Sequence, residues 1–214
     1  MGKLGNGIIG SIQGSIGNIT GYRRKHNTVI ATKRGKQNYE STQLQLDARA
    51  KFLQVKAFIE VLKAFPYGLK YWKPRVKLLP ENLAYSLNAD AFNADGVIDA
   101  SLIVTSIGKL APGLIVAANS TITPKELFVY WISPASNLPS SDFDGVNLIY
   151  YNERTKLWHQ GGTGLFRISG DYGGGHGHAW QAGDIVHFYL SFVSQDYPEF
   201  ASLSNHYQIV VTAT

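Results

Sequence analysis

The chain has 214 residues, 44% hydrophobic and 12% aromatic with no cysteine, enough to bury a sizeable core and too apolar for wholesale disorder. Absence of cysteine excludes a disulfide framework and any thiolate metal site. The net charge of +5 divides unevenly: fifteen of the twenty Lys and Arg precede position 78, beside only Glu40, Asp47 and Glu60. Such a basic front and acidic remainder predict two regions with different tasks.

Residues 2–21 hold seven glycines, and Gly7, Gly10, Gly14, Gly17 and Gly21 recur at steps of three and four. As a helix this would place the glycines on one face and Ile9, Ile12, Ile16 and Ile19 on another. Each interior glycine costs about 1 kcal/mol against alanine, so the preferred expectation is an irregular arm that orders only against a partner. A β-hairpin follows, NITGYRRK and TVIATKR about a His26-Asn27 turn. Ile9, Ile12, Ile16 and Ile19 with Arg23, Arg24, Lys25, Lys33 and Arg34 are the candidate assembly residues.

Ser41-Thr42 precedes an amphipathic helix predicted over Gln43–Phe65, its stripe formed by Leu44, Leu46, Phe52, Val55, Phe58, Ile59, Leu62 and Phe65. Pro66 ends it. An aromatic, basic connector broken by Pro74 and Pro80 leads to a short helix near Glu81–Asn93. From about Gly96 the pattern becomes short apolar runs separated by turn residues. Strands are expected at Leu102–Ser106, Leu114–Ala118, Glu126–Ile132, Val146–Tyr151, Leu157–His159, Leu165–Ile168, Ile185–Val193 and Tyr207–Thr212, the spacing of a β-sandwich. The expected fold is mainly β with one long amphipathic helix. Its parts are a glycine-rich arm and hairpin (1–40), the helix and connector (41–95), and a C-terminal immunoglobulin-like sandwich (96–214).

These residues resemble a family of uncharacterised proteins found in Bacteroidota and in phage-associated genes of that phylum. The resemblance is carried by GNITGYRRK, QLDARAKF, FVYW at Tyr130-Trp131, DGVNLIYYNERTKLWHQGG and AGDIVHFYLSFVSQD followed by SNHYQI. It implies a glycine-rich β unit, a helix and an immunoglobulin-like sandwich, and brings no catalytic residues.

The chemistry on offer is thin. His176 and His178, with Asp171 nearby and His187 further on, make one metal-like cluster, set in a glycine-rich loop read as a solvent-exposed turn. No G-x-S-x-G elbow occurs, and GGTG at 161–164 lacks the Lys and the helix of a phosphate loop. Neither catalysis, a metal nor a cofactor is expected. Trp158, Tyr172 and Trp180 are candidates for an exposed aromatic ligand platform, whereas Trp131 reads as core. No apolar run of 18 residues or signal peptide is read, so no membrane span is expected. Three functions are weighed. The first is a non-enzymatic structural protein of a phage virion, homo-oligomeric and touching other virion proteins and packaged nucleic acid, assembled in the bacterial cytoplasm. The others are a surface-glycan-binding sandwich and a nucleic-acid-binding accessory protein acting through the basic arm.

Overall fold

A computed structural model describes residues 3–4, 12–16, 19–24, 27–32, 40–72, 79–123, 125–133, 140–175, 179–197 and 200–213. The chain forms two compact units, 1–42 and 43–214. The helices cover one face of the sandwich and lie in the same unit as it.

In the first unit β1 (Lys3–Leu4), β2 (Ile12–Ile16), β3 (Ile19–Arg24) and β4 (Asn27–Thr32) pair in chain order as an antiparallel meander. The described part of the glycine-rich segment is therefore strand, neither helix nor irregular arm. Gly14 sits opposite Gly21 and Ile16 opposite Ile19. The hairpin is present, and Asn27, expected in the turn, is already strand and pairs with Arg24.

In the second unit α1 (Gln43–Ala64) runs 22 residues without glycine or proline. It stops before Pro66, which has no N–H to continue the ladder. α2 (Pro80–Asn88) takes its proline at the first helical turn, where that N–H is not needed, so Pro80 starts a helix instead of breaking one.

Seven strands follow: β5 (Leu114–Thr121), β6 (Glu126–Ile132), β7 (Gly145–Asn152), β8 (Leu157–Gly161), β9 (Asp171–Gly175), β10 (Ile185–Val193) and β11 (Asn205–Val210). They form a three-stranded sheet, β5-β6-β9, and a four-stranded sheet, β11-β10-β7-β8. The order is that of a seven-stranded immunoglobulin-type sandwich whose fourth strand has moved across to pair with the third. Between the sheets lie Leu127, Val129 and Trp131 of β6, Val146, Leu148 and Tyr150 of β7, and Phe188, Leu190 and Phe192 of β10.

A third layer covers the outer face of the four-stranded sheet. Val55, Phe58, Ile59 and Leu62 of α1, with Leu69, Trp72, Ala84 and Phe92, pack on Ile149, Tyr151 and Tyr189. β7 is consequently buried at all eight positions. Alternation sends Tyr150 to the inter-sheet core and Tyr151 to the helical side.

Three expectations are corrected. Leu102–Ser106 is not a strand: Leu102 ends a 3-10 turn (Ala100–Leu102), the Val104 N–H donates to Asn88 Oδ1 at 2.8 Å, Asn88 Nδ2 donates to the Val104 carbonyl at 3.1 Å, and the Ser106 carbonyl accepts from the Ser204 N–H at 3.2 Å, in place of a ladder. Leu165–Ile168 meets Gly145 through a single bridge at Phe166 and then closes into a 3-10 turn over Arg167–Ser169. Asp171–Gly175, expected in an exposed turn, is strand β9 against β6.

Candidate functional site

Of the assembly residues, Ile9, Lys25, Lys33 and Arg34 lie outside the described residues. Ile12 and Ile16 fall on β2, and Ile19, Arg23 and Arg24 on β3. In the ladder Gly14 pairs with Gly21, Ile16 with Ile19, Gly21 with Ile30, Arg23 with Thr28 and Arg24 with Asn27.

The aromatic trio is divided by the four-stranded sheet. Trp180 is 5% exposed and set edge-on to Tyr150 in the inter-sheet core, with centroids 5.7 Å apart. Tyr172 packs at the border of the same core. Trp158 sits on the helical side, half-buried, with Tyr151 stacked at 4.5 Å and Phe58 at 4.7 Å. A sugar platform needs an open ring face, and protein rings already lie against Trp158. The three do not form one platform.

His176 and His178 lie outside the described residues, and no group of three His, Asp or Glu among the described residues is placed to hold a metal. His187 belongs to a different arrangement. It is 4% exposed on the helical face of β10, where its Nε2 meets Glu153 Oε1 at 2.8 Å and its Nδ1 meets His206 Nε2 at 3.0 Å. The two imidazole planes are 19° from parallel, with centroids 5.2 Å apart. With both nitrogens engaged, His187 has no lone pair left for a metal or a substrate. Burial, then the neighbouring His187, lowers the His206 pKa below the usual imidazole value, and Asp99 partly opposes them. The pair accommodates one proton between its nitrogens; a second would set two N–H groups against each other.

Sequence reasoning missed this array. Glu153 directly follows β7, and His206 lies diagonally across the β10–β11 pairing, where Tyr189 faces His206 and His187 faces Gln208. Only that register brings positions 153, 187 and 206 together.

Beside the array, on the same face of the sheet, runs a largely apolar cleft of about 450 Å³. Phe58 and Val61 of α1, Phe92, Ile98 and Trp158 wall it, and Gln54 and Lys156 stand at its polar margin. Tyr151 forms part of the wall. Its ring lies between Trp158 and His187, and its hydroxyl is buried without a hydrogen-bond partner among the described residues. Burial, with the Glu153 charge adding to it, pushes the Tyr151 pKa up to about 12, so the hydroxyl is a proton donor at neutral pH.

No family model matches the chain, and no curated protein is similar to it. Among solved structures it is similar to the fibronectin type-III domain of human fibronectin type III domain containing protein 3, studied in solution. The two share 16% identity at a TM-score of 0.32, over 51% of this chain and 91% of that one. That likeness bears on neither activity nor partners.

Proposed function

We propose that the protein is a non-enzymatic assembly component in which residues 43–214 are the body and residues 1–42 the docking element. The observation that carries this reading is that residues 1–42 form a compact unit of their own, whose described residues pair as a four-stranded antiparallel sheet. A sheet gains stability in water by burying apolar side chains against another layer. In this sheet Ile16 pairs with Ile19 and Gly21 with Ile30, and each isoleucine is worth roughly 1.5–3 kcal/mol when buried.

The occupant we assign is the same sheet of a second copy. Identical surfaces meet across a two-fold axis, so one set of isoleucines would bury another. Taken with the family resemblance, the assembly is that of a phage particle.

The test is the double variant Ile16→Asp/Ile19→Asp, which puts two carboxylates at one paired position of the β2–β3 ladder. Sedimentation velocity should show the wild-type chain self-associated and the variant monomeric, with the signal of the folded body retained. Equal sedimentation of both would remove the reading. Nucleic acid as the occupant is a separate outcome, shown by binding whose affinity falls steeply with salt.

A further inference from the structure

We propose that Glu153, His187 and His206 form an acid-sensitive latch, which ties edge strand β11 to β10 and releases it when a second proton enters the histidine pair. Three observations carry this, independently of any self-association. His187 stands on β10, 4% exposed, and His206 stands half-buried on β11, so their 3.0 Å contact is a side-chain tie between the two strands. In that contact one ring nitrogen must donate and the other accept, so the pair holds at most one proton beyond its neutral form. A second proton sets two N–H groups and two positive charges against each other beside a buried ring, and the rings relieve it by moving apart. β11 is the strand placed to move. It lies at the end of the sheet β11-β10-β7-β8, and of its six residues only Ile209 is buried. An edge strand that buries so little opens locally at a smaller cost than unfolding the sandwich.

The groups facing the pair decide how many protons it takes while closed. Directly after β7, Glu153 Oε1 lies 2.8 Å from His187 Nε2 and favours the first proton. The Tyr151 ring of β7 is 6.3 Å from His187 and the Tyr189 ring of β10 is 5.2 Å from His206; burial keeps both phenols protonated and uncharged. Asp99, ahead of the Ala100–Leu102 turn, attracts a proton to His206, but its Oδ1 already accepts from the Ser101 hydroxyl at 2.6 Å and the Ser101 N–H at 3.1 Å. Gln208, across the ladder from His187, carries no charge. Among the described residues one carboxylate therefore touches the pair, enough for one proton and not for two. The closed pair takes the second proton less readily than separated strands do, so acid favours the open form.

The experiment is amide hydrogen exchange on the full chain between pH 7 and pH 5, corrected for intrinsic exchange rates. On acidification the β11 amides of wild type should lose about tenfold more protection than those of β7. His206→Gln keeps a hydrogen-bonding group at that position but cannot take the proton, and it should remove the difference between the two strands. Glu153→Gln lacks the counter-charge for the first proton, and its β11 should open at a higher pH than in wild type. The proposal is overturned by any of three results: wild-type β11 losing no more protection than β7, the same difference persisting in His206→Gln, or Glu153→Gln opening at the wild-type pH or below it.

Discussion

Arg167 and Asp144 form an ion pair closed off from water, with guanidinium Nη2 2.9 Å from Oδ2 and side chains 0% and 1% exposed. The same guanidinium donates from Nη1 to the Ala111 carbonyl at 2.9 Å and lies 4.0 Å above the Phe192 ring. It thereby ties the 3-10 turn after β8 to the segment entering β5. Replacing Asp144 with Ala leaves a buried cation without its counter-charge and should cost about 3–5 kcal/mol. The double variant Asp144→Ala/Arg167→Met should recover most of that loss. Denaturant midpoints for the two variants, compared with wild type, check both statements.

Two glycines outside the basic segment should behave oppositely. A Cβ on Gly108 would sit 1.8 Å from the Ala201 carbonyl oxygen, which is backbone and has no room to move. Gly108→Ala should therefore destabilise by about 1–3 kcal/mol. Gly174, in β9, has nothing within 4 Å of the same position. Gly174→Ala should be neutral or stabilise by up to about 1 kcal/mol, through a less flexible unfolded chain. Thermal unfolding of both variants reads the difference in sign.

Stability should decline as pH falls through two windows. Burial lowers the pKa of both His159 and His206. Below about pH 6.5 the unfolded chain takes up protons on these groups before the folded one does, so stability drops there. The second window is acidic. Arg154 donates to Asp184 at 2.6 Å and holds its pKa down to about 2. The stability this contributes is present above the unfolded carboxylate value near 4 and is lost as pH falls toward 2. His206→Gln should flatten the first decline and leave the second. A set of denaturation curves between pH 8 and 3 measures both.

Two positions of α1 carry different weight. Phe58 is 2% exposed in the helical layer, whereas Leu53, about a turn and a half earlier and on another side of the helix, is 63% exposed. Phe58→Ala should cost about 3–5 kcal/mol and Leu53→Ala less than about 0.5 kcal/mol. Urea titration of each distinguishes them.

The contrast within α1 also shows what the sequence leaves open. The apolar stripe located the helix almost to the residue, but Leu44 and Phe52 fit the stripe as well as Leu62 and end up exposed. Periodicity reports a face; which part of it is covered depends on where the sheet ends. β6 and β10 were legible to the residue because β-branched and aromatic positions ran unbroken between turn signals. β9 was not, since three of its five residues are glycine and its strand state comes from pairing with β6. Phe128 lies against Gly173, where a Cβ would meet its ring at 2.8 Å, a contact that no local pattern announces.

The site was less legible than the fold. Trp158, Tyr172 and Trp180 were chosen as aromatics near loops, but alternation along β7 assigns their neighbours Tyr150 and Tyr151 to opposite cores. The array of Glu153, His187 and His206 depends on two strand registers at once. The two-residue step from His187 to Tyr189 is visible in the sequence; the position of His206 beside both is not.

Native mass spectrometry of the full chain over a range of concentrations tests the assembly account most directly. The account predicts self-associated species that shift toward monomer when Ile16 and Ile19 are both made Asp. A wild-type chain that stays monomeric at every concentration, with the amides of β2 and β3 strongly protected from hydrogen exchange, would contradict it.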